Sequence, residues 1–321
     1  MRILVTGGAG YVGSTLTPML LADGHHVRVM DTLLHDGQSL LGPWAHPEFE
    51  FTRSNICDTN AVRDALGGMD AVVHLAAIVG DPACAREPDL ARRVNLEASL
   101  GLLEESKRAG VTRFVFASTC SNYGKMNDTL QYVDETSELR PVSLYAETKV
   151  GMERAMLGLS CPGMGTTVLR FATVFGVSPR MRFDLTVNEF TLELLTKKRL
   201  TVFGEQFWRP YIHVRDAARA IALVLSCSDS QVRGEVFNVG STPENYQKGQ
   251  LVNMILPYAP DAKIEFIHKE EDPRDYRVCF AKIRQRLGFD VMFDVNRGIR
   301  EVARLVENGI IQETTATTYR N

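Results

Sequence analysis

Short apolar runs alternate with longer amphipathic stretches through the first half of the chain. The runs at 2–6, 26–31, 49–53, 71–75, 113–118 and 166–171 are dense in Val, Ile, Leu and Phe and read as strands. The stretches near 12–23, 59–66, 89–109 and 144–159 repeat apolar residues at helical spacing. Strands this uniformly apolar are buried on both faces, so the order strand, helix, strand predicts an α/β fold with a doubly wound parallel sheet. From about residue 174 the alternation weakens, and Pro179, Pro210, Pro243, Pro257 and Pro273 punctuate shorter elements. A smaller mixed α/β lobe is expected there. The sheet domain is assigned to 1–173, with 207–230 returning to it through Tyr211–Asp216 and the apolar helix from Ala217 to Leu225; 174–206 and 231–321 form the second lobe. There is no internal repeat, and the polar tail from Gln312 to Asn321 is expected to fray.

The strand Arg2-Ile3-Leu4-Val5-Thr6 runs into Gly7-Gly8-Ala9-Gly10-Tyr11-Val12-Gly13, then a helical pattern, then a second strand closing on Asp31. A strand, a glycine-rich turn, a helix and a carboxylate roughly 20 residues on make the fingerprint of a dinucleotide-binding unit. Gly7 takes the tight turn, Gly10 lets backbone approach a pyrophosphate, and Gly13 lets the helix pack closely. Asp31 accepts from a ribose 2′-hydroxyl and repels a 2′-phosphate, which favours NAD over NADP. Arg28, three positions back in the strand, faces the other way, and no further Lys or Arg follows until Arg53. The remaining candidate cofactor contacts are Tyr11 and Val12 in the turn, Asn55 and Ile56 after the third strand, and Leu75, Ala76 and Ala77 after the fourth.

Composition narrows the setting without changing the fold. The chain has 321 residues, 45% of them hydrophobic, and a net charge of −3, enough for a large core and a second lobe. No apolar run approaches the ~20 residues of a membrane span, and the chain opens on a strand, so a cytoplasmic protein is expected. The cysteines at 57, 84, 120, 161, 227 and 279 have no metal-site spacing and read as reduced thiols, with no metal expected. A near-neutral balance without a long basic run offers no case for nucleic acid or a membrane surface.

Candidate chemistry sits at Tyr145-Ala146-Glu147-Thr148-Lys149, downstream of the strand 113–118 and its extension Thr119-Cys120-Ser121-Asn122-Tyr123-Gly124. Four residues apart on a helix, Tyr145 and Lys149 share a face. A free tyrosine has a pKa of about 10, so acting as a base near pH 7 requires a drop of roughly 3 units, about 4 kcal/mol. A neighbouring ammonium and the positive charge of an oxidised nicotinamide both favour the phenolate. Thr119, at the carboxyl end of a central strand, orients a substrate hydroxyl.

GGAGYVG, Asp31, HLAA, STCSNYG, YAETK and LRFATVFG together resemble the extended short-chain dehydrogenase/reductase family, whose members modify nucleotide sugars, over nearly the whole chain. The resemblance implies that Thr119, Tyr145 and Lys149 are catalytic and that Asn95 belongs to the proton-relay and cofactor neighbourhood. Residues 204–216 resemble the family's substrate-lobe signature, and Asp272-Pro273-Arg274 its second phosphate-binding arginine. Arg209 and Arg274 are thus expected to clamp a diphosphate, a task suited to guanidinium forks. The family also implies a homodimer through the helices near 89–109 and 144–159, with Leu96, Leu100, Leu102, Leu103, Met152, Met156 and Leu157 as candidate contacts.

Departures from the family pattern carry information too. In the family's 4,6-dehydratases the residue matching Thr119 is followed by an Asp-Glu acid–base pair; here Cys120 and Ser121 stand in those places, at the substrate site. Epimerases carry small residues there. Cys120 reads as a small apolar filler or a reactive thiol. The stretch 174–190 is similar to a branch that includes a GDP-manno-heptose C4 dehydrogenase; it implies that Asn188 holds the diphosphate and that Arg180 and Arg182 lie near the sugar or brace the lobe. The expected reaction is NAD-dependent oxidation of a hydroxyl, C4 by preference, of a nucleotide-linked sugar. The product is a 4-epimer if hydride returns and a ketone if it does not. The alternatives are an enzyme of small carbonyl compounds, disfavoured by the two arginines, and a non-catalytic NAD-binding protein, disfavoured by the intact Tyr–Lys pair.

Overall fold

A computed structural model describes residues 1–126, 131–158, 163–270 and 274–321. Cys161, Asp272 and Pro273 lie outside the described residues. The apolar runs form the strands β1 (Arg2–Thr6), β2 (His26–Asp31), β3 (Phe49–Arg53), β4 (Ala71–His74), β5 (Arg113–Thr119) and β6 (Gly165–Phe171). Three short strands follow: β7 (Thr173–Phe175), β8 (Arg199–Phe203) and β9 (Trp208–His213). The last are β10 (Glu235–Val239), β11 (Asn245–Gln247) and β12 (Lys263–Ile267). The main sheet is parallel with the order β10-β6-β5-β4-β1-β2-β3. The order reverses beside β1, between β2 and β4, and ligands of such sheets bind at the carboxyl ends there. Apolar clusters cover both faces, one around Val5, Leu16 and Ile221, the other around Leu4, Phe114 and Met152.

Sequence expectation and structure part company at a few places. The expected returning segment divides: helix Val214–Ser226 packs on helix Gly13–Ala22, whereas β9 joins β7 and β11 in a separate small sheet. The seventh strand of the main sheet, β10, lies in a stretch assigned to the second lobe. Its short alternating pattern gives no sign that it pairs with β6.

The long helix near 89–109 is interrupted. Pro88–Arg92 and Ser99–Arg108 are α-helical, but Arg93–Ala98 forms a wider π turn, an insertion often found where a helix must aim a side chain. Of the residues proposed for a dimer face, Leu102, Leu103, Met152 and Met156 are buried in the molecule's own core, while Leu157 is exposed. Helical periodicity marks a face as apolar but does not say which partner covers it.

The tail does not fray. Phe183 N–H donates to the Tyr319 carbonyl (2.9 Å), the two rings meet edge-on with centroids 5.9 Å apart, and Asn321 N–H donates to Asp184. Its polar composition hid one apolar anchor, Tyr319, that packs with Met181 and Phe183. The second lobe proper is built round Phe175, Leu194, Tyr211 and Ile299. No helix among the described residues is long and apolar enough to cross a membrane.

Candidate active site

A cleft of about 930 Å³ opens at the carboxyl ends of β1, β2, β4 and β5 and continues against the second lobe. Its floor is the glycine-rich turn. Gly7 has φ +75°, and a Cβ there would lie 2.7 Å from the Ala76 nitrogen. A Cβ on Gly13 would lie 2.4 Å from the Gly7 carbonyl, and one on Gly10 3.1 Å from the same oxygen. The small residues after β4 and the glycines of the turn are therefore one requirement: two backbone segments nearly touch, leaving bare peptide facing the cleft beside the helix N-terminus. This fits a dinucleotide diphosphate. Asp31 accepts from Ala9 N–H (3.0 Å) and Leu33 N–H (2.8 Å), so it fixes the turn while facing the cleft. Burial raises its pKa and those N–H bonds oppose the rise.

Tyr11, Val12, Asn55, Ile56, Leu75, Ala76 and Ala77 also line the cleft. Tyr11 additionally ties the two lobes, its hydroxyl donating to the Gly176 carbonyl at 2.6 Å. Arg28 is turned away as expected, bound to Glu50 and to the carbonyls of Ala65 and Gly67.

Opposite the turn, Thr119 ends β5 and Tyr145 opens helix Leu144–Gly158, with Ser143 accepting from Ala146 N–H at its start. Thr119 Oγ1 accepts from Ser121 N–H (3.1 Å), which leaves the hydroxyl proton to be donated into the cleft. Lys149 is buried; its ammonium donates to the Ala117 carbonyl (2.8 Å) and lies 5.7 Å from the Tyr145 ring centre. Burial lowers Lys149 to about 8, so it is still mainly cationic at pH 7. Burial, then nearby Cys84, pushes the Tyr145 phenol well above its ordinary value, while Arg182 pulls it down. A further positive charge in the cleft would favour the phenolate.

Beneath Thr119 lies a buried network that sequence reading did not find. Arg170 on β6 grips Glu153 with Nη2 at 2.7 Å and Nε at 3.1 Å, and donates to the Tyr123 hydroxyl at 2.9 Å. Tyr123 in turn donates to Asn238 on β10, and Glu153 also accepts from Asn122. Removing one partner of such a buried pair costs about 3–5 kcal/mol, so this network fixes β5, β6, β10 and the Tyr145 helix relative to one another. His74, buried and held between the Thr6 and Ser99 hydroxyls at 2.7 and 2.8 Å, does the same for β1 and β4. Burial lowers it to about 3, and it is neutral.

Three expected site residues do not reach the cleft. Asn95, aimed by the π turn, accepts from Ile78 N–H (2.7 Å) and donates to the Ile78 carbonyl (2.9 Å), so it positions the loop after β4. Asn188 is fully buried and satisfied by Gly176, Tyr11 and Arg182. Cys120 is buried with its thiol on the Arg170 carbonyl, and burial pushes its pKa well up; it is the filler, not a reactive thiol. In each case a short polar side chain finds its partners within the protein, chiefly in backbone, which no local motif reveals.

Ser121, Arg180, Arg209 and Arg274 do line the cleft. Arg209 stacks 5.3 Å over Tyr276, whose hydroxyl is 3.3 Å from Ser121 Oγ, and Arg274 is near enough to Tyr276 to bias its ionisation. Arg274 also donates to Asp81 (2.9 Å), which accepts from Ser143 (2.7 Å). Asp81, Ser143 and Tyr276 were not anticipated; the sole signal was a lone aspartate in Gly80-Asp81-Pro82 following the HLAA strand. Among the described residues no group of His, Cys, Asp and Glu could hold a metal ion.

Residues 3–240 match the NAD dependent epimerase/dehydratase family. A dTDP-glucose 4,6-dehydratase of an Actinoplanes species is 31% identical over 94% of this chain and 96% of its own length. An uncharacterized UDP-glucose epimerase of Bacillus subtilis is 31% identical over 95% of this chain and 98% of its own. Among solved structures, the UDP-glucose 4-epimerase of Thermotoga maritima with UDP-glucose superposes with a TM-score of 0.85 at 26% identity, covering 97% of this chain and 100% of that one. The dTDP-glucose 4,6-dehydratase of Streptomyces venezuelae, solved with NAD, superposes with a TM-score of 0.85 at 27% identity, covering 96% and 98%.

Proposed function

Because the chain belongs to the NAD dependent epimerase/dehydratase family, with NAD its cofactor, we propose that it oxidises a hydroxyl, C4 by preference, of a nucleotide-linked sugar. The reading rests on one observation: Thr119, Tyr145 and Lys149 share a single cleft with the glycine turn on one side and Arg209 and Arg274 on the other. NAD, when bound, supplies the hydride acceptor and a positive ring charge. Thr119 holds the reacting hydroxyl by donating to its oxygen, and Tyr145 removes its proton. Lys149 keeps the phenolate form accessible by its charge. Arg209 and Arg274 hold the substrate diphosphate by charge-assisted hydrogen bonds, which fixes the sugar toward Tyr145. The ketone either regains hydride on its other face, giving the 4-epimer, or leaves.

Cys120 and Ser121, at the places after Thr119, supply no carboxyl acid and base, which speaks against loss of water at C5 and C6. Product analysis with UDP-, GDP- and dTDP-linked hexoses and heptoses tests the reading. Inverted sugar or keto sugar is the expected outcome, and no change in any of them contradicts it. We also propose a homodimer, on the partly exposed Leu96 and Leu100 and exposed Leu157 of the two helices. Light scattering at micromolar concentration is expected to give twice the chain mass; the single mass contradicts it.

A further inference from the structure

Arg180 carries an anomaly that the substrate-lobe assignment does not absorb. It is 5% exposed, lines the cleft, and its Nε has no hydrogen-bond partner among the described residues. A buried guanidinium N–H left unmade is costly, and on a side chain that lines a cleft a ligand there would meet it. The surroundings say where it sits. Its backbone N–H donates to Ser14 Oγ in the first turn of helix Gly13–Ala22, the helix whose N-terminus faces the cleft. Asp31, His35 and Tyr11, all on the cofactor side, lie within its electrostatic reach. Burial and Arg182 lower its pKa to about 10, so it remains a cation.

The other edge of the guanidinium is fastened. Nη2 donates to Asn321 Oδ1 (2.8 Å) and to the Arg320 carbonyl (3.2 Å), and Asn321 is itself held by Asp184 and reaches the Val79 carbonyl. Asn321 lines the cleft as well. Residues of the second lobe and the tail thus fix a cation in the cleft, on backbone tied to the first turn of the first lobe's helix.

We infer that Arg180 is a cofactor-binding residue: its unpartnered Nε–H completes the NAD diphosphate site from the second lobe, with residues 320–321 as its brace. A site built from one lobe releases its ligand by opening one loop. A site closed by the other lobe and the tail releases NAD only when those contacts part. The carboxylate of Asp31 beside it keeps the ribose end unfavourable for a 2′-phosphate, which directs the cation to the diphosphate.

The test measures binding to the cofactor-free protein without any sugar turnover, so it stands or falls separately from the proposed reaction. Arg180→Ala is expected to weaken NAD and ADP ten- to hundredfold, speed NAD release from the loaded protein, and leave adenosine, which has no phosphate, unchanged. Arg180→Lys keeps the charge and stem, is expected to lose three- to tenfold for ADP with adenosine unchanged, and carries the test if the alanine variant does not fold. Equal weakening of adenosine and ADP means that Arg180 only shapes the pocket and overturns the inference. Unchanged NAD and ADP binding, with or without loss of sugar-nucleotide affinity, overturns it too.

Discussion

The two walls of the cleft are made of different materials. The cofactor wall is bare backbone: Gly7, Gly10 and Gly13 bring peptide groups to the surface, and Ala76 sits so near Gly7 that no side chain fits between. The facing wall is long cationic side chains, Arg209 and Arg274 toward the proposed substrate and Arg180 toward the cofactor, each held by a carbonyl, carboxylate or amide of its own surroundings. The first wall selects by shape and by the fixed dipoles of N–H groups. On the proposed reading the second selects by charge and by reach. The proposed base, Tyr145, sits where the walls meet.

Changes at that seam should exceed those on either wall. Tyr145→Phe keeps the ring but removes the group that takes the proton, so turnover should fall by at least ~10² with an unchanged melting temperature. Near wild-type turnover would place the base elsewhere. On the cationic wall, Arg209→Ala or Arg274→Ala should each weaken sugar-nucleotide binding ten- to hundredfold, the loss of a charged hydrogen bond of roughly 1.5–3 kcal/mol. NAD affinity should barely move, and calorimetry with both ligands checks the split.

The cofactor wall was legible in the sequence for a physical reason. Its glycines and Asp31 follow one another along β1, the turn and β2, and their conformations are dictated locally, by a positive φ at Gly7 and by the strand end at Asp31. The Tyr145–Lys149 pair needed only helical spacing. The cationic wall assembles across the chain: Arg274 meets Asp81 over a separation of 193 residues, and Arg180 meets Asn321 over 141. Nothing in local periodicity encodes such contacts, which is why Asp81 went unseen, the tail was expected to fray, and Asn188 and Asn95 were assigned to ligands when they serve backbone. β10 was missed for the same reason, since its place beside β6 is set by packing and not by its five residues.

Smaller effects sharpen the contrast. Asp31→Asn removes the negative charge at the ribose end while leaving its shape, so the preference for NAD over NADP should shrink by about tenfold, chiefly through stronger NADP binding. An unchanged preference would mean that other groups make the choice. Cys120→Ala should alter turnover less than about threefold, because the thiol is buried on the Arg170 carbonyl and faces neither wall. Loss of turnover without loss of stability would return Cys120 to the site.

The central claim is that Tyr145 and NAD together oxidise the sugar carbon. A single-turnover experiment reads this directly: the NAD-loaded enzyme is mixed with a converted sugar nucleotide carrying hydrogen or deuterium at C4, and the absorbance of reduced nicotinamide is followed. The account predicts reduced nicotinamide in the wild-type protein, formed more slowly from the deuterated sugar, and none on the same timescale in Tyr145→Phe. Reduction with no isotope effect in a step shown to be limited by chemistry, or equal reduction in the two proteins, would contradict it.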